Sequence, residues 1–306
     1  MAISSLGPQY VSASWTGLLQ YSSSGEIYTG DGTKIITLSV TSSGNGSSSG
    51  VYGGTSPTTT TVGGLTTGTS ISGLSYDSIL QSILCPYNTP SFSLFSITGQ
   101  STSVDVGYIV SGSKTFTWVF NFSSNVSANT LDITDTTNST SIATNISTIS
   151  PASYTLSIVS KSAADSNVWT ISADPTQGAE ITRTFTVSWK WRNYFAASAT
   201  VISDDSSAQL VIDSDVITSS LDDNKAWSVT CTSANNEASK YTYIIYPATY
   251  GDLSTITQNG SLPVLSAFTK VGDFTVSNVH GKSTSFRVYK SNAPGAFSNG
   301  TTLAIT

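Results

Sequence analysis

Aromatic and aliphatic side chains alternate with hydroxyl-bearing ones along several stretches of this chain. Between residues 115 and 122 every second position is aromatic: Phe116, Trp118, Phe120 and Phe122. Residues 184–191 repeat the pattern with Phe185, Val187, Trp189 and Trp191. Successive side chains of a strand point to opposite faces, so a period of two predicts strands that bury one face. The intervening Ser and Thr predict outer faces that carry hydroxyl groups in place of charges.

These two runs bracket a predicted immunoglobulin-like β-sandwich at residues 100–198. Shorter apolar groups lie between them, separated by Asn, Asp, Ser and Pro turns: Leu131/Ile133, Tyr154/Leu156/Ile158 and Trp169/Ile171. Short strands at intervals of roughly 10–20 residues are typical of such a sandwich. The sequence lacks the Cys–Trp–Cys pattern of antibody domains, so we expect a different member of this architecture.

A second, C-terminal β-sandwich domain is predicted at residues 199–306. Its candidate strands are 208–212, 227–231, 241–246, 274–276 and 286–289, separated by Asn-, Asp- and Gly-containing turns. No long helical pattern separates these strands, which excludes most parallel β–α–β arrangements. The predicted fold class is therefore all-β, with two tandem immunoglobulin-like sandwiches after a distinct N-terminal segment.

That N-terminal segment, residues 1–99, is rich in Gly, Ser and Thr and poor in charge. Residues 44–50 and four consecutive threonines at 58–61 are of low complexity. We predict an extended segment that serves for attachment to a partner or for oligomerisation. One short helix is predicted after a Ser75 cap and before Pro86, with four apolar side chains on one face: Ile79, Leu80, Ile83 and Leu84.

Composition and charge narrow the classes of partner. Ser and Thr make up about a third of the 306 residues, only 10% of residues are charged, and the net charge is -6. Nucleic-acid binding needs a basic surface, so no nucleic-acid partner is expected. No stretch approaches the roughly 20 apolar residues of a membrane span, and the first residues lack the features of a secretory signal. The two cysteines, Cys85 and Cys231, are predicted to be buried free thiols, with a disulfide as the alternative.

Candidate groups for catalysis or metal binding are few. The single histidine, His280, precedes Gly281 between two predicted strands, which favours a hairpin turn. Three acidic pairs are the alternative source of glycosidase carboxylates or of calcium ligands: Asp204/Asp205, Asp213/Asp215 and Asp222/Asp223. Asp213 and Asp215 would share a face if they lay on a strand. We expect solvated turns at these pairs, no cofactor, no metal and no enzymatic activity.

Aromatic and apolar residues outside the predicted cores suggest two kinds of contact. Five in the N-terminal segment are candidates for interface or attachment contacts: Trp15, Leu18, Leu19, Tyr21 and Tyr52. Three in the C-terminal domain are candidates for stacking on a glycan: Trp227, Tyr241 and Tyr250. Aromatic side chains supply contact area at low entropic cost, which suits either role.

Several short sequence segments resemble virion proteins of tailed bacteriophages of the fibre or decoration type. These segments occur in the same order along almost the whole chain. They are SWTGLL (14–19), TVGGL (61–65), ILCPYNTPSF (83–92), KTFTW (114–118), FTVSWKWRNYF (185–195), YIIYPATYGDL (243–253) and FRVYKS (286–291). The resemblance implies a particle component that assembles in the host cytoplasm as a homo-oligomer, with a trimer favoured, beside other phage head or tail proteins. It provides no catalytic residues.

The predicted function is therefore that of a non-enzymatic virion structural protein, anchored to the particle by residues 1–99 and projecting its β domains outward. Two alternatives remain at this point. One is an adhesin or receptor-binding protein that recognises a glycan on the host surface. The other is a polysaccharide depolymerase that uses the acidic pairs.

Overall fold

The computed structural model describes residues 20–21, 26–28, 34–37, 51, 53–54, 57–59, 61–62, 64–65, 67–84, 86–232 and 239–306. The chain divides into two compact units, residues 1–89 and residues 90–306. Most of the secondary structure is β-strand in antiparallel sheets, which confirms the all-β class. Neither of the two helices in the described residues has the length and apolar character needed to cross a membrane.

The described residues of the first unit form a small sheet and one helix. Three strands pair antiparallel in chain order: β1 (Gln20–Tyr21), β2 (Glu26–Tyr28) and β3 (Lys34–Thr37). Helix α1 spans Tyr76–Leu84 and begins as predicted, because the Ser75 hydroxyl accepts a hydrogen bond from the Ser78 amide at 3.1 Å. Ile79 and Ile83 are buried, whereas Leu80 and Leu84 are exposed. The apolar face is thus narrower than the sequence predicts, and the extended nature of the segment remains a prediction.

Glycine is required where α1 meets the preceding loop. The Gly64 amide donates a hydrogen bond of 2.7 Å to the Ser82 carbonyl in the helix. A Cβ atom at Gly64 would lie 2.8 Å from that oxygen, which is closer than real Cβ contacts come. The loop therefore reaches the helix only because this position has no side chain.

The second unit begins with two sheets that share one hydrophobic core. Their strands are β4 (Ser91–Ile97), β5 (Ser103–Asp105), β6 (Val110–Asn121), β7 (Val126–Asp135), β8 (Thr140–Ile146), β9 (Ala152–Val159), β10 (Ser166–Pro175) and β11 (Ile181–Ser198). One sheet has the order β4-β6-β9, and the facing strands have the order β8-β7-β10-β11 with β5 parallel to β11. The shared core includes Phe116, Trp118, Leu131, Ile133, Trp169, Ile171 and Trp189.

The remaining strands build further layers around the second half of β11. They are β12 (Val216–Asp222), β13 (Trp227–Thr230), β14 (Tyr241–Pro247), β15 (Ile256–Gln258), β16 (Leu262–Pro263), β17 (Phe268–Ser277), β18 (Ser283–Ser291) and β19 (Thr302–Ile305). On one side of β11 the order continues as β14-β18-β17, and β12 pairs with β11 as well. A separate sheet has the order β13-β19-β15-β16.

Both faces of the β11-β14-β18-β17 sheet are covered. Helix α2 (Asp205–Ser214) packs Ala208 and Val211 into the same core as Tyr243 on β14. A second core holds Ile244 from the opposite face of β14 together with Leu303 from the β13-β19-β15-β16 sheet. Alternate side chains of β14 therefore pack into two different cores, one on each face of the sheet, which explains why residues 242–247 are all buried.

Three strand predictions are wrong in detail. The alternation of Tyr154, Leu156 and Ile158 fails at its end, because an extra residue on β9 turns Ile158 outward, where it is 75% exposed. The other two errors also have a local cause. Residues 208–212 are helical, because Asp204 and Ser207 form a capping box that starts α2. Consequently Asp213 lies on the helix and Asp215 caps its C-terminus, so the two do not share a strand face. Phe122 leaves the alternating run: its φ of 59° ends β6, and its side chain is 52% exposed.

The predicted boundaries of the three segments, at 99/100 and 198/199, remain predictions. Residues 100–198 and 199–306 lie within one compact unit, 90–306. They also share β11, whose first half pairs with β10 and β5 and whose second half pairs with β12 and β14. The second half of the unit therefore uses residues of the first predicted domain as its central strand.

Candidate functional site

The outer faces of the sheets carry hydroxyl groups that pair across strands. Ser96 and Thr117 hydroxyl oxygens lie 2.7 Å apart on β4 and β6, and those of Thr115 and Ser153 lie 3.1 Å apart on β6 and β9. Other such pairs join β17 to β18, through Ser277 and Ser283, and β13 to β19, through Thr230 and Thr302. Cross-strand hydroxyl pairs stabilise a sheet without the desolvation cost of a charge. The predicted hydroxyl faces are thus present on several sheets.

A groove lined by charged, hydroxyl-bearing and aromatic residues lies beside Tyr250. Its volume is about 470 Å³, and its lining includes Asp165, Trp189, Lys190, Trp191, Asp223 and Tyr250. We call it the Tyr250 groove. Lys190 and Asp223 form an ion pair at 2.8 Å across it. The Tyr250 hydroxyl donates a hydrogen bond of 2.9 Å to the Asp222 carbonyl.

The Tyr250 hydroxyl is held in its protonated form. Burial raises the pKa of Tyr250 to about 12, and the negative charges of Asp223 and Asp222 add to the effect. Both tryptophans of the groove are largely buried, at 0% exposure for Trp189 and 9% for Trp191. The groove therefore offers an ion pair, hydroxyl-bearing residues and the half-buried ring of Tyr250, a combination suited to an uncharged polar ligand.

The three residues predicted to contact a glycan do not form one site. Trp227 and Tyr250 both pack against the core that contains Ile244, and the Trp227 ring lies edge-on to Phe195 at 6.5 Å. Tyr241 packs against the other core, and the Lys290 ammonium lies 4.5 Å from the centre of its ring. Of the three, Tyr250 alone lines the groove.

The residues predicted for attachment all belong to the N-terminal segment. Trp15, Leu18, Leu19 and Tyr52 lie outside the described residues. Tyr21 belongs to β1, but its side chain is not among those described. Their proposed role is a matter of sequence alone.

The acidic pairs serve structural contacts in the described structure. Asp213 accepts a hydrogen bond from the Gln209 side chain, and Asp215 accepts one from the Ser198 hydroxyl at 2.6 Å. Asp204 caps α2, and the hydrogen bonds from Ser207 lower its carboxyl pKa. Among the residues that the structure describes, no group of three or more His, Cys, Asp or Glu side chains is arranged to hold a metal ion.

His280 and Cys231 have the surroundings that the sequence predicts. His280 lies in the turn that joins β17 to β18, with Gly281 at φ 68° and a hydrogen bond of 2.9 Å from the Gly281 amide to the Asn278 carbonyl. Cys231 is a buried free thiol, and burial raises its pKa to about 11. Cys85 lies outside the described residues.

Sequence reasoning missed an ion pair that joins three strands. The Arg192 guanidinium on β11 donates two hydrogen bonds to the Asp105 carboxylate on β5, at 2.7 and 2.8 Å, and a third to the Ser219 hydroxyl on β12 at 3.1 Å. The Asp105 hydrogen bond is the main cause of the raised pKa of Arg192. The signal in the sequence was a single Asp between two valines, a charge in an apolar stretch.

A further contact joins the loop after β5 to the β17–β18 turn. The Asn278 side chain donates a hydrogen bond of 2.7 Å to the Val106 carbonyl, and the His280 ring lies edge-on to Tyr108 at 5.7 Å.

Comparison with protein-family models, with curated proteins and with solved structures found no match. The likeness to phage virion proteins therefore remains a prediction.

Proposed function

We propose that this chain is a non-enzymatic structural subunit of a bacteriophage virion, of the fibre or decoration type. In this proposal residues 1–99 anchor it to the particle, and the β-rich unit projects outward. The subunit forms a homo-oligomer, with a trimer favoured, and contacts other head or tail proteins. Its place is the virion, assembled in the host cytoplasm.

The hydroxyl-paired sheet faces are the observation that carries the proposal. Pairs such as Ser96–Thr117 and Thr115–Ser153 form outer faces on which neutral hydroxyl groups replace charges. Copies of a subunit with neutral faces approach one another without like-charge repulsion and without stripping water from full charges. That property suits a protein packed at high density on a particle.

The strand order of the first half supports the finer fold within this proposal. The sheets β4-β6-β9 and β8-β7-β10-β11-β5 divide the strands between two layers, as an immunoglobulin-like sandwich does, and the chain changes layer between β6 and β7, between β8 and β9 and between β9 and β10. The parallel contact of β5 with the first half of β11 completes that layer. Sandwiches of this kind recur in cell-surface and other exposed proteins.

The test is to locate the chain on particles. Antibodies raised against the purified full-length chain should label intact virions from cells that produce it, and the chain should co-sediment with those virions. The proposal predicts no sugar release when the purified chain is incubated with host polysaccharide. Absence of the chain from purified virions, or turnover of any polysaccharide, would overturn it.

A second candidate function, glycan recognition on the host surface, is favoured by the Tyr250 groove. The groove places the half-buried ring of Tyr250 beside the Lys190–Asp223 ion pair, and sugars are bound by such combinations of aromatic contact and hydrogen bonding. Glycan-array binding by the full chain that Tyr250→Ala abolishes would support it. Tyr241→Ala, an aromatic truncation outside the groove, is the matched control and should leave binding intact. An array without specific binding would remove this candidate.

A further inference from the structure

A small pocket is formed by residues of β5, β11, β12, helix α2 and the β17–β18 turn. Its volume is about 320 Å³, and its lining includes Asp105, Arg192, Tyr194, Ile212, Asp213 and Val279. We call it the Tyr194 pocket. These residues all belong to the second compact unit, and none of them lines the Tyr250 groove. The volume is at the lower end of the range for ligand sites, so the pocket suits one small group or side chain.

The Tyr194 hydroxyl is a polar group that the protein leaves without a partner. Tyr194 is only 7% exposed, and its ring packs against Phe286 at 5.7 Å. Among the residues that the structure describes, no group forms a hydrogen bond with this hydroxyl. The charges of Asp105, Arg192 and Asp213 all act on it, which places it in the pocket that these three residues line. Buried tyrosine hydroxyls normally have a hydrogen-bond partner, so this one is available to a bound group.

The pocket carries a net negative charge. The Arg192 guanidinium is bound by the Asp105 carboxylate, at 2.7 and 2.8 Å, so these two charges compensate each other. Asp213 accepts a hydrogen bond of 2.9 Å from the neutral Gln209 side chain. In the described part of the chain, no Lys or Arg forms an ion pair with Asp213. The uncompensated charge that faces the pocket is therefore that of Asp213.

An apolar wall completes the pocket. Val279, in the β17–β18 turn, is 88% exposed, and Ile212 on α2 lines the same pocket. Covering an apolar side chain that has so much contact with water is favourable. An anionic group would be repelled by Asp213, and a neutral polyol would leave the Asp213 charge uncompensated. The net charge of -6 on the whole chain attracts cations at longer range.

We propose that the Tyr194 pocket binds a primary ammonium group carried on an alkyl chain. The ammonium donates hydrogen bonds to the Asp213 carboxylate and to the oxygen of the Tyr194 hydroxyl, and the alkyl chain lies against Ile212 and Val279. A free aliphatic amine and a lysine side chain of another polypeptide share this chemistry. The inference is independent of the proposed role in a virion, because it depends on the pocket alone.

Ligand-observed NMR titrations of the full chain at pH 7 and low salt measure the selectivity. n-Butylamine is protonated at this pH and 1-butanol has the same chain without the charge, so n-butylamine should bind roughly fivefold more tightly. Nα-Acetyl-lysine N-methylamide distinguishes the two sources of the ammonium group. If it binds more tightly than n-butylamine, the pocket accepts a lysine of a polypeptide, and if it binds more weakly, the pocket accepts a free amine. Equal affinity for n-butylamine and 1-butanol, or tighter binding of glucose than of n-butylamine, would overturn the proposal.

Two variants test the residues that contact the ammonium group. Asp213→Asn keeps an oxygen that can accept from Gln209, and it should remove the preference for n-butylamine over 1-butanol. Asp174→Asn makes the same change of charge at an exposed position on β10, so it is the matched control and should leave the preference intact. Tyr194→Phe should weaken the binding of n-butylamine roughly three- to tenfold, the effect of one hydrogen bond.

Urea unfolding shows whether Tyr194→Phe acts through the fold. Because the Tyr194 hydroxyl has no protein partner to lose, this variant should keep the urea midpoint of the unchanged chain. Tyr243→Phe is the comparison, since the Tyr243 hydroxyl donates a hydrogen bond of 2.8 Å to the Thr200 carbonyl. It should lower the urea midpoint and leave the binding of n-butylamine unchanged. Binding of n-butylamine that is unaffected by Tyr194→Phe or by Asp213→Asn would overturn the proposal.

Discussion

The Arg192–Asp105 ion pair is expected to contribute measurably to stability, and Asp105→Ala is the change that tests it. The Asp105 side chain is 11% exposed and that of Arg192 is 34% exposed. The change removes two charge-assisted hydrogen bonds, and each hydrogen bond to a charged group contributes roughly 1.5–3 kcal/mol to stability. Because the freed guanidinium still reaches water and Ser219, the loss is partly compensated. We expect a cost of about 2 kcal/mol.

Urea unfolding followed by tryptophan fluorescence measures this cost, and thermal unfolding provides a second reading. For a unit of this size about 2 kcal/mol corresponds to a fall in Tm of roughly 4–8 °C. The double variant Asp105→Ala/Arg192→Ala should cost less than the sum of the single variants, by roughly 1–2 kcal/mol of coupling. The slope of the urea transition should not change, because the surface exposed on unfolding is the same.

The neighbouring pair on the same strand is a matched control. Lys190 and Asp223 are also 2.8 Å apart, but Asp223 is 64% exposed. Exposed pairs contribute roughly 0–1 kcal/mol, so Asp223→Ala should cost less than about 0.5 kcal/mol. If Asp105→Ala lowers the free energy of unfolding no more than Asp223→Ala does, burial does not strengthen the Arg192–Asp105 ion pair, and the prediction is refuted.

Three further predictions concern single sites. Leu156→Ala should cost about 2–5 kcal/mol and Ile158→Ala under about 0.5 kcal/mol by urea unfolding, because the bulge turns only the second outward; similar costs would contradict the bulge. The hydrogen bond with the Arg287 guanidinium lowers the pKa of Asp273. This pair therefore contributes its full stability above the unfolded carboxyl pKa of about 3.9 and loses it as the pH falls through the pKa of Asp273 in the folded protein. With Arg287→Gln, the urea midpoint should fall less steeply over this acid range. In a Cys85→Ser chain, the Cys231 thiol should react with a thiol reagent at pH 8 only after unfolding, since burial raises its pKa to about 11; rapid reaction of the native chain would contradict this.

The alternating runs predicted the core correctly, because a strand that buries one face has an apolar residue at every second position of its sequence. Phe185, Val187, Trp189 and Trp191 are all buried on β11, as the period of two requires. The same rule failed at Ile158, because a single extra residue on β9 reverses the facing of the side chains beyond it. Such a bulge depends on the pairing with β6 and has no signature in the local pattern.

The helix α2 was missed although its signal was present. Ala208 and Val211 are buried at a spacing of three, which fits a helix, and Asp204 with Ser207 forms its cap. Read as a strand, this stretch placed Asp213 and Asp215 together and created an acidic pair that the structure does not contain. The Tyr250 groove was only partly predictable, because its lining comes from segments distant along the chain.

Strand β11 has a mechanical consequence. Its 18 residues are bonded along one half to β10 and β5 and along the other half to β12 and β14. Tension along the axis of β11 would have to break many inter-strand hydrogen bonds at the same time, whereas a chain of separately linked domains unfolds first at its weakest domain. A protein built around such a central strand is therefore expected to transmit force along that strand with little extension.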